Sequence, residues 1–361
     1  MFERDHIREM QGYTPGLQPS GAVIKLNTNE SPFAPGPRVM AALDAIRPTE
    51  LQRYPDPSAT VFRQAAARLH GLDPNQVVAT NGGDELLRLA VSTFVDPGRA
   101  IGVVTPSYGV YSVLAALHPS PLSEAPMTED WALPEEAATR WNDDGAQLAL
   151  LTNPHAPSGA LASAETIEQL VAAFQGVLVL DEAYVDFVDP ALQHDVTALI
   201  GRCPNLLILR TMSKGYALAG LRLGYGLGDA RLVEPIQAKT RDSYNVDVIA
   251  QRLGVAALED RDHASLAWLH VRQERARVAD ELARIGVGVL PSQANFLLVC
   301  PPGSSSAQDL YAGLVEKGVF VRWFDAPRLR DKLRVTIGAR QENDAFLAAL
   351  RDVVGSTERR A

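Results

Sequence analysis

Short runs rich in Val, Ile, Leu and Ala recur through the first two-thirds of the chain, at residues 77–80, 101–105, 147–152, 177–180, 206–209 and 223–226. Each is bounded by Gly, Pro or polar residues, which predicts buried strands. Between them, segments such as 84–94 and 164–174 carry apolar residues at helical spacing. This alternation predicts an α/β protein whose mainly parallel sheet is covered by helices on both faces. Beyond about residue 245 the texture changes to an Ala/Arg/Glu-rich stretch at 249–285, followed by strand candidates at 295–300, 319–323 and 333–337. A smaller α+β domain is expected there. The first 30 or so residues show no strong helix or strand and read as an arm packed on the second domain or on a neighbouring subunit. The expected division is an arm at 1–30, a large domain at 31–245 and a small domain at 246–361, with no internal repeat, low-complexity tract or long linker.

Composition narrows the class. With 46% hydrophobic and 21% charged residues, the 361-residue chain can bury a sizeable core. Its 34 basic against 43 acidic residues give a net charge of -9, which disfavours nucleic acid or an anionic membrane as the main partner. Cys203 and Cys300 form no CxxC pair, and the histidines show no ligand spacing, so neither a disulfide framework nor a metal site is expected. A reducing cytoplasm fits best. No apolar leader opens the chain and no run of about 18 apolar residues occurs, so secretion and membrane spanning are not expected.

The strands run into polar or Gly-rich loops holding Asn81, Tyr108, Asn153, Asp181 and Lys214, and the carboxyl edge of an open α/β sheet is where ligands bind. A lone Lys after an apolar run is ordinarily a surface residue. Lys214, however, follows the 206–209 run, has small neighbours and precedes Arg222 by eight positions in a Gly-rich turn. The segment resembles the lysine box of fold type I pyridoxal-phosphate enzymes, whose amine forms a Schiff base with the cofactor. The other parts of such a site occur in order. Asp181, which alone would read as a helix or turn cap, ends a hydrophobic strand 33 positions earlier and suits the pyridine nitrogen. The amide of Asn153 and the hydroxyl of Tyr184 are candidate donors to the ring phenolate oxygen. Tyr108 is placed to lie against the ring. Gly83 and Asp84 open an amphipathic helix after a strand, and with Ser213 and Arg222 would cup the phosphate. No GxGxxG follows the first strand, so a dinucleotide fold is not indicated.

Over almost its entire length the chain resembles the class I/II aminotransferases, and within them the histidinol-phosphate aminotransferases. The resemblance rests on Ile24-Lys-Leu-Asn-Thr-Asn-Glu-Ser-Pro, Arg53-Tyr-Pro-Asp, Asn81-Gly-Gly-Asp-Glu, Asp181-Glu-Ala-Tyr, Ser213-Lys, Tyr244-Asn-Val and Leu333-Arg-Val-Thr-Ile-Gly. It implies a fold type I architecture with a seven-stranded sheet and catalytic roles for Lys214, Asp181 and Tyr184. It further implies a homodimer in which Tyr54 reaches the cofactor phosphate of the other subunit. Arg334 would clamp an α-carboxylate, Tyr13 and Arg322 a distal phosphate, with Arg328 and Arg330 nearby, and Asn29 would belong to the substrate pocket. The implied reaction is transamination between histidinol phosphate and 2-oxoglutarate. An aromatic aminotransferase or a threonine-phosphate decarboxylase would keep the same cofactor shell and differ around Tyr13, Arg322 and His155. A cofactor-binding regulator without turnover is disfavoured, because no basic helix-turn-helix extension precedes residue 20. Three departures stand out: Asn153-Pro-His-Ala-Pro replaces the commoner Asn-Pro-Asn-Asn-Pro, Thr80-Asn-Gly replaces Gly-Asn-Gly, and Thr-Arg-Asp-Ser precedes Tyr244.

Overall fold

The computed structural model describes residues 2–302 and 305–358; residues 1, 303–304 and 359–361, within the expected arm and small domain, lie outside the described residues. In chain order the strands are β1 (Ile24–Lys25), β2 (Val77–Thr80), β3 (Ile101–Thr105), β4 (Leu122–Pro126), β5 (Leu148–Thr152), β6 (Val177–Asp181), β7 (Leu206–Thr211) and β8 (Gly224–Gly228). They are followed by β9 (Gly288–Val289), β10 (Phe296–Cys300), β11 (Val319–Phe320), β12 (Arg322–Trp323) and β13 (Leu333–Thr336).

A seven-stranded sheet of order β2-β8-β7-β6-β5-β3-β4 organises the first part, parallel except for β8. Its central strands are apolar on both faces because each face meets helices. Leu148, Leu150, Val179, Leu207 and Leu209 enter one core, while Leu151, Leu178, Leu180, Leu206 and Ile208 enter the other, the two-residue period of a strand. The order reverses at β3, which sits between β4 and β5. The carboxyl ends there form the crevice typical of open α/β sheets. The edge strand β4 escapes the sequence pattern because Ser123, Glu124 and Pro126 dilute its apolar residues, as an edge position tolerates.

The second sheet, β12-β13-β10-β9, is antiparallel. The Ala/Arg/Glu-rich stretch folds as two helices, Val248–Glu259 and Arg261–Arg284, and the first packs on helices Pro37–Asp44 and Thr60–His70. The arm differs from expectation. It contains a short helix, Asp5–Glu9, and β1, which pairs in parallel with β11. Beyond β1 the backbone stays tied to the second sheet, with Leu26 donating to Phe320 at 2.7 Å and accepting from Thr336 at 2.9 Å. Residues 27–30 are thereby delivered to the crevice. Among the described residues, no helix is long and apolar enough to cross a membrane.

Candidate active site

A cavity of about 370 Å³ opens at the carboxyl ends of β5, β6 and β7, within the roughly 300–1,000 Å³ usual for small-molecule sites. Its lining includes Lys214, Asp181, Tyr184, Tyr108, Ser213 and Arg222 together with Gly83 and Asp84. Residues scattered over more than 130 positions converge because they sit at or just past strand ends, at a helix start or, for Arg222, in the turn before β8.

Lys214 donates from Nζ to the backbone carbonyl of Thr28 at 2.9 Å. Burial lowers its pKa to about 8, assisted by the Arg334 charge and opposed by Glu30. The depressed value makes the neutral, nucleophilic amine available near neutral pH. Attack on an aldehyde by the cofactor-free protein should therefore quicken about tenfold per pH unit up to about 8 and level off above it. Stopped-flow absorbance across pH 6–10 (about this range brackets the titration) checks this; a rate still climbing to the ordinary lysine range would show an amine free of its surroundings.

Asp181 is buried, accepts from the Ala183 N–H at 3.1 Å and from the Tyr111 hydroxyl at 3.1 Å, and has its pKa pushed up to about 6 by burial. A carboxylate so desolvated gains from a cationic N–H partner. Tyr111, which also pairs with Thr152 at 2.7 Å, is a functional neighbour the sequence reading missed. Its spacing of three from Tyr108 at a helix start was the available signal. Tyr184 is buried and accepts from the Asn29 side-chain amide at 3.0 Å; burial raises its phenol, so it stays protonated.

At the other end, helix Gly83–Phe94 begins beside Arg222 and Ser213. Gly82 has φ +77°, and a Cβ there would lie 2.7 Å from the Arg222 guanidinium, so a glycine is needed for this approach. A Cβ at Gly224 would meet the Gly82 carbonyl carbon at 2.8 Å. Ser213 accepts from Thr211 at 2.9 Å, leaving its own hydrogen to donate. Free helix N–H groups, a hydroxyl and a guanidinium make an anion cup. Asp84 lies on its rim, 3.5 Å from Arg222 and 3.3 Å from the Tyr108 hydroxyl that donates to it.

Several expected residues lie elsewhere. Asn153 faces away: its amide donates to the Ala162 carbonyl at 3.1 Å and its oxygen accepts from the Ala162 N–H at 2.9 Å. Ala156, three positions on, lines the cavity instead, so the expected amide contact from Asn153 is corrected. Asn29 is buried behind Tyr184 rather than in the cavity lining. His155 is buried with both ring nitrogens engaged, one at 2.7 Å from Ser158 and one at 2.9 Å from the Pro106 carbonyl. It braces the loop before Tyr108 rather than facing substrate. Tyr54 stands outside the cavity, 80% exposed, and stacks on Tyr244 with ring centroids 4.3 Å apart.

Arg334 and Arg322 oppose each other across the β12–β13 ladder, with guanidinium carbons 5.5 and 5.1 Å from the centroid of the Phe324 ring. Arg334 donates to the Asn27 carbonyl at 2.9 Å, while its buried Nε has no partner. Arg322 donates to the carbonyls of Thr14 and Pro15, at 3.0 and 3.3 Å. Tyr13 sits edge-on to Tyr108 at 5.7 Å. Arg328 is taken by the Met127 and Thr128 carbonyls and Arg330 by Asp325.

Residues 22–350 match the family profile described as aminotransferase class I and II. The histidinol-phosphate aminotransferase of Synechocystis sp. is 39% identical over 354 residues, covering 98% of each chain. Histidinol-phosphate aminotransferase 1 of Nostoc sp. is 37% identical over 359 residues, 99% of each. The crystal structure of histidinol-phosphate aminotransferase from Sinorhizobium meliloti in complex with pyridoxal-5'-phosphate superposes with a TM-score of 0.86 at 29% identity, covering 92% of this chain and 91% of that one. With the sheet order, the lysine-bearing cavity and this likeness along nearly its whole length, the chain belongs to the class I and II aminotransferase family, a fold type I enzyme family that uses pyridoxal phosphate.

Proposed function

We propose that the protein transfers an amino group between histidinol phosphate and 2-oxoglutarate, with the Arg322–Arg334 pair as the observation that carries this reading. Two guanidiniums opposite each other on one sheet face repel unless an anion sits between or beside them. A phosphate in one half of the cycle and carboxylates in the other answer that need, and the guanidinium fork matches both. The curated relatives named above act, by their names, on histidinol phosphate.

Bound pyridoxal phosphate supplies an aldehyde carbon that exchanges amines and a ring that draws electrons from the substrate α-carbon. Lys214 is the residue whose amine would hold the group at that carbon. Its neutral amine then takes the proton from the α-carbon and returns it at the cofactor C4′, one group acting as base and then acid. Asp181 would hold the proton on the ring nitrogen, Tyr184 would donate to the ring oxygen, and Tyr108 would lie against the ring. Gly83, Asp84, Ser213 and Arg222 form the phosphate end. Arg334 orients the carboxylate of glutamate, and Tyr13 with Arg322 takes the distal phosphate.

We further propose a homodimer. Leu51, Tyr54, Val61 and Tyr244 are all substantially exposed apolar side chains, and Tyr54 would complete the phosphate end of the partner's site. Light scattering should give twice the 39.0 kDa chain mass. The arm, large domain and small domain are assigned to 1–30, 31–245 and 246–361, supported by the seven-stranded and four-stranded sheets falling in separate spans, with the β1–β11 pair joining the arm to the small domain. The free Cys203 and Cys300 support a reducing, cytoplasmic setting.

The test is the separate half-reaction. Histidinol phosphate and glutamate should each convert the bound cofactor to its pyridoxamine form, seen as loss of the visible band, whereas phenylalanine should be slow. Faster conversion by phenylalanine would move the assignment to aromatic amino acids. Arg334→Lys should raise KM for glutamate about 10- to 100-fold, the loss of a bidentate charge-assisted pair; an unchanged KM would remove Arg334 from the carboxylate site.

A further inference from the structure

We propose that Asn29, locked by Thr336, orients the Tyr184 hydroxyl as a hydrogen-bond donor into the cofactor cavity, and that Ala156 offers the cavity no second side-chain donor beside it. The inference rests on the reading that the cavity holds the pyridoxal ring.

The hydrogen bonds leave one arrangement. The Asn29 N–H donates to the Thr336 hydroxyl oxygen at 3.0 Å, and that hydroxyl, having one hydrogen, donates to Asn29 Oδ1 at 3.0 Å. The Asn29 oxygen being occupied, its Nδ2 is what faces Tyr184 Oη at 3.0 Å. Tyr184 Oη thus accepts from behind, and its own hydrogen is left for the cavity side. The ring cannot swing freely, since it stands edge-on to Phe296 at 5.1 Å. Asn29 is itself pinned, its carbonyl accepting from Asn295 at 3.0 Å. Meanwhile the run that would carry a second amide places Ala156 at the cavity and commits Asn153 to Ala162. Asn29 is therefore a positioning residue that acts through Tyr184.

A donor on the ring oxygen draws its negative charge away from the adjacent protonated nitrogen joined to Lys214, so that nitrogen loses its proton at lower pH. The visible band of the holoprotein reports this titration. Tyr184→Phe should raise the midpoint by about one to two pH units. Asn29→Ala should raise it less in the wild type and not at all in the Tyr184→Phe background. Thr336→Val should mimic Asn29→Ala, and Thr336→Ser should not. Ala156→Asn should lower the midpoint of Tyr184→Phe. The charged groups around the amine, namely Glu30, Asp84, Asp181, Arg222 and Arg334, are untouched in all these variants.

An Asn29→Ala midpoint equal to that of the wild type would overturn the relay. So would a shift that persists in full without the Tyr184 hydroxyl. An Ala156→Asn variant that leaves the Tyr184→Phe midpoint unmoved would overturn the role given to Ala156. Failure of the underlying reading looks different: the wild type would show no titrating band, or Lys214→Ala would keep it.

Discussion

Lys214→Ala is expected to lose the visible band that borohydride bleaches in the wild type as it fixes the cofactor to the protein, and to lower kcat by at least about 10²- to 10⁴-fold, the usual worth of a positioned proton-transfer group. The amine serves both as the covalent anchor and as the proton carrier. Among the described residues lining the cavity, the other cation is Arg222, whose guanidinium offers donors and no acceptor and so does not replace the amine as a base. The substitution should leave the fold intact. The side chain donates a hydrogen bond to the Thr28 carbonyl, and its removal spares a desolvated amine. Circular dichroism and thermal melting would establish that the variant folds, and single-turnover absorbance would measure the loss. A folded variant that retains the band and turns over within tenfold of the wild type (about 1.4 kcal/mol of barrier) would remove Lys214 from the chemistry.

Asp181→Asn should bind cofactor yet slow both half-reactions by about 10²- to 10³-fold, the range seen when one preorganised electrostatic partner is removed. The amide matches the carboxyl in shape: its oxygen can accept from the Ala183 N–H, while its NH2, standing where the other carboxylate oxygen accepts from Tyr111, would donate to that hydroxyl instead. It cannot balance a positive ring nitrogen. Burial has already pushed the Asp181 carboxyl up to about 6, and a cationic partner would bring it down again. Cofactor binding should therefore release or exchange protons with a pH dependence centred near that value, strongest where the free protein still holds the carboxyl proton, below about 6. Calorimetry in buffers of different ionisation enthalpy would measure it. Wild-type rates in the variant would reduce Asp181 to a structural carboxylate.

The central sheet was legible because strands buried on both faces are continuous apolar runs, and the candidate site was legible because its residues sit where those runs stop. Asp181 and Lys214 are the plainest cases. What remained hidden had physical causes. The Thr28 carbonyl that holds Lys214 is backbone and leaves no mark on residue type. Thr211 and Tyr111 act through other side chains, and their hydrogen bonds cross 2 and 70 positions of sequence respectively. Asn153 was misplaced because an Asn at a strand end is equally able to close its own loop, here by a two-way bond with Ala162. The arm's β1 spans two residues and gains its stability from β11, nearly 300 positions away, so no local pattern could announce it.

That pairing has a mechanical consequence. Residues 24–29 come early in the chain but are stitched to its last third, through Gly318, Phe320, Asn295 and Thr336, and Arg334 grips the Asn27 carbonyl. Thr28, on the cavity rim, and Arg334, bonded to the residue before it, are therefore tied into one unit. Any excursion of the second sheet toward β6 would carry the Arg334 guanidinium with it and, in the same stroke, shift the anchor of the Lys214 amine. Cutting the chain between residues 30 and 37 would not free this unit, whereas weakening the β1–β11 seam would loosen both functions together.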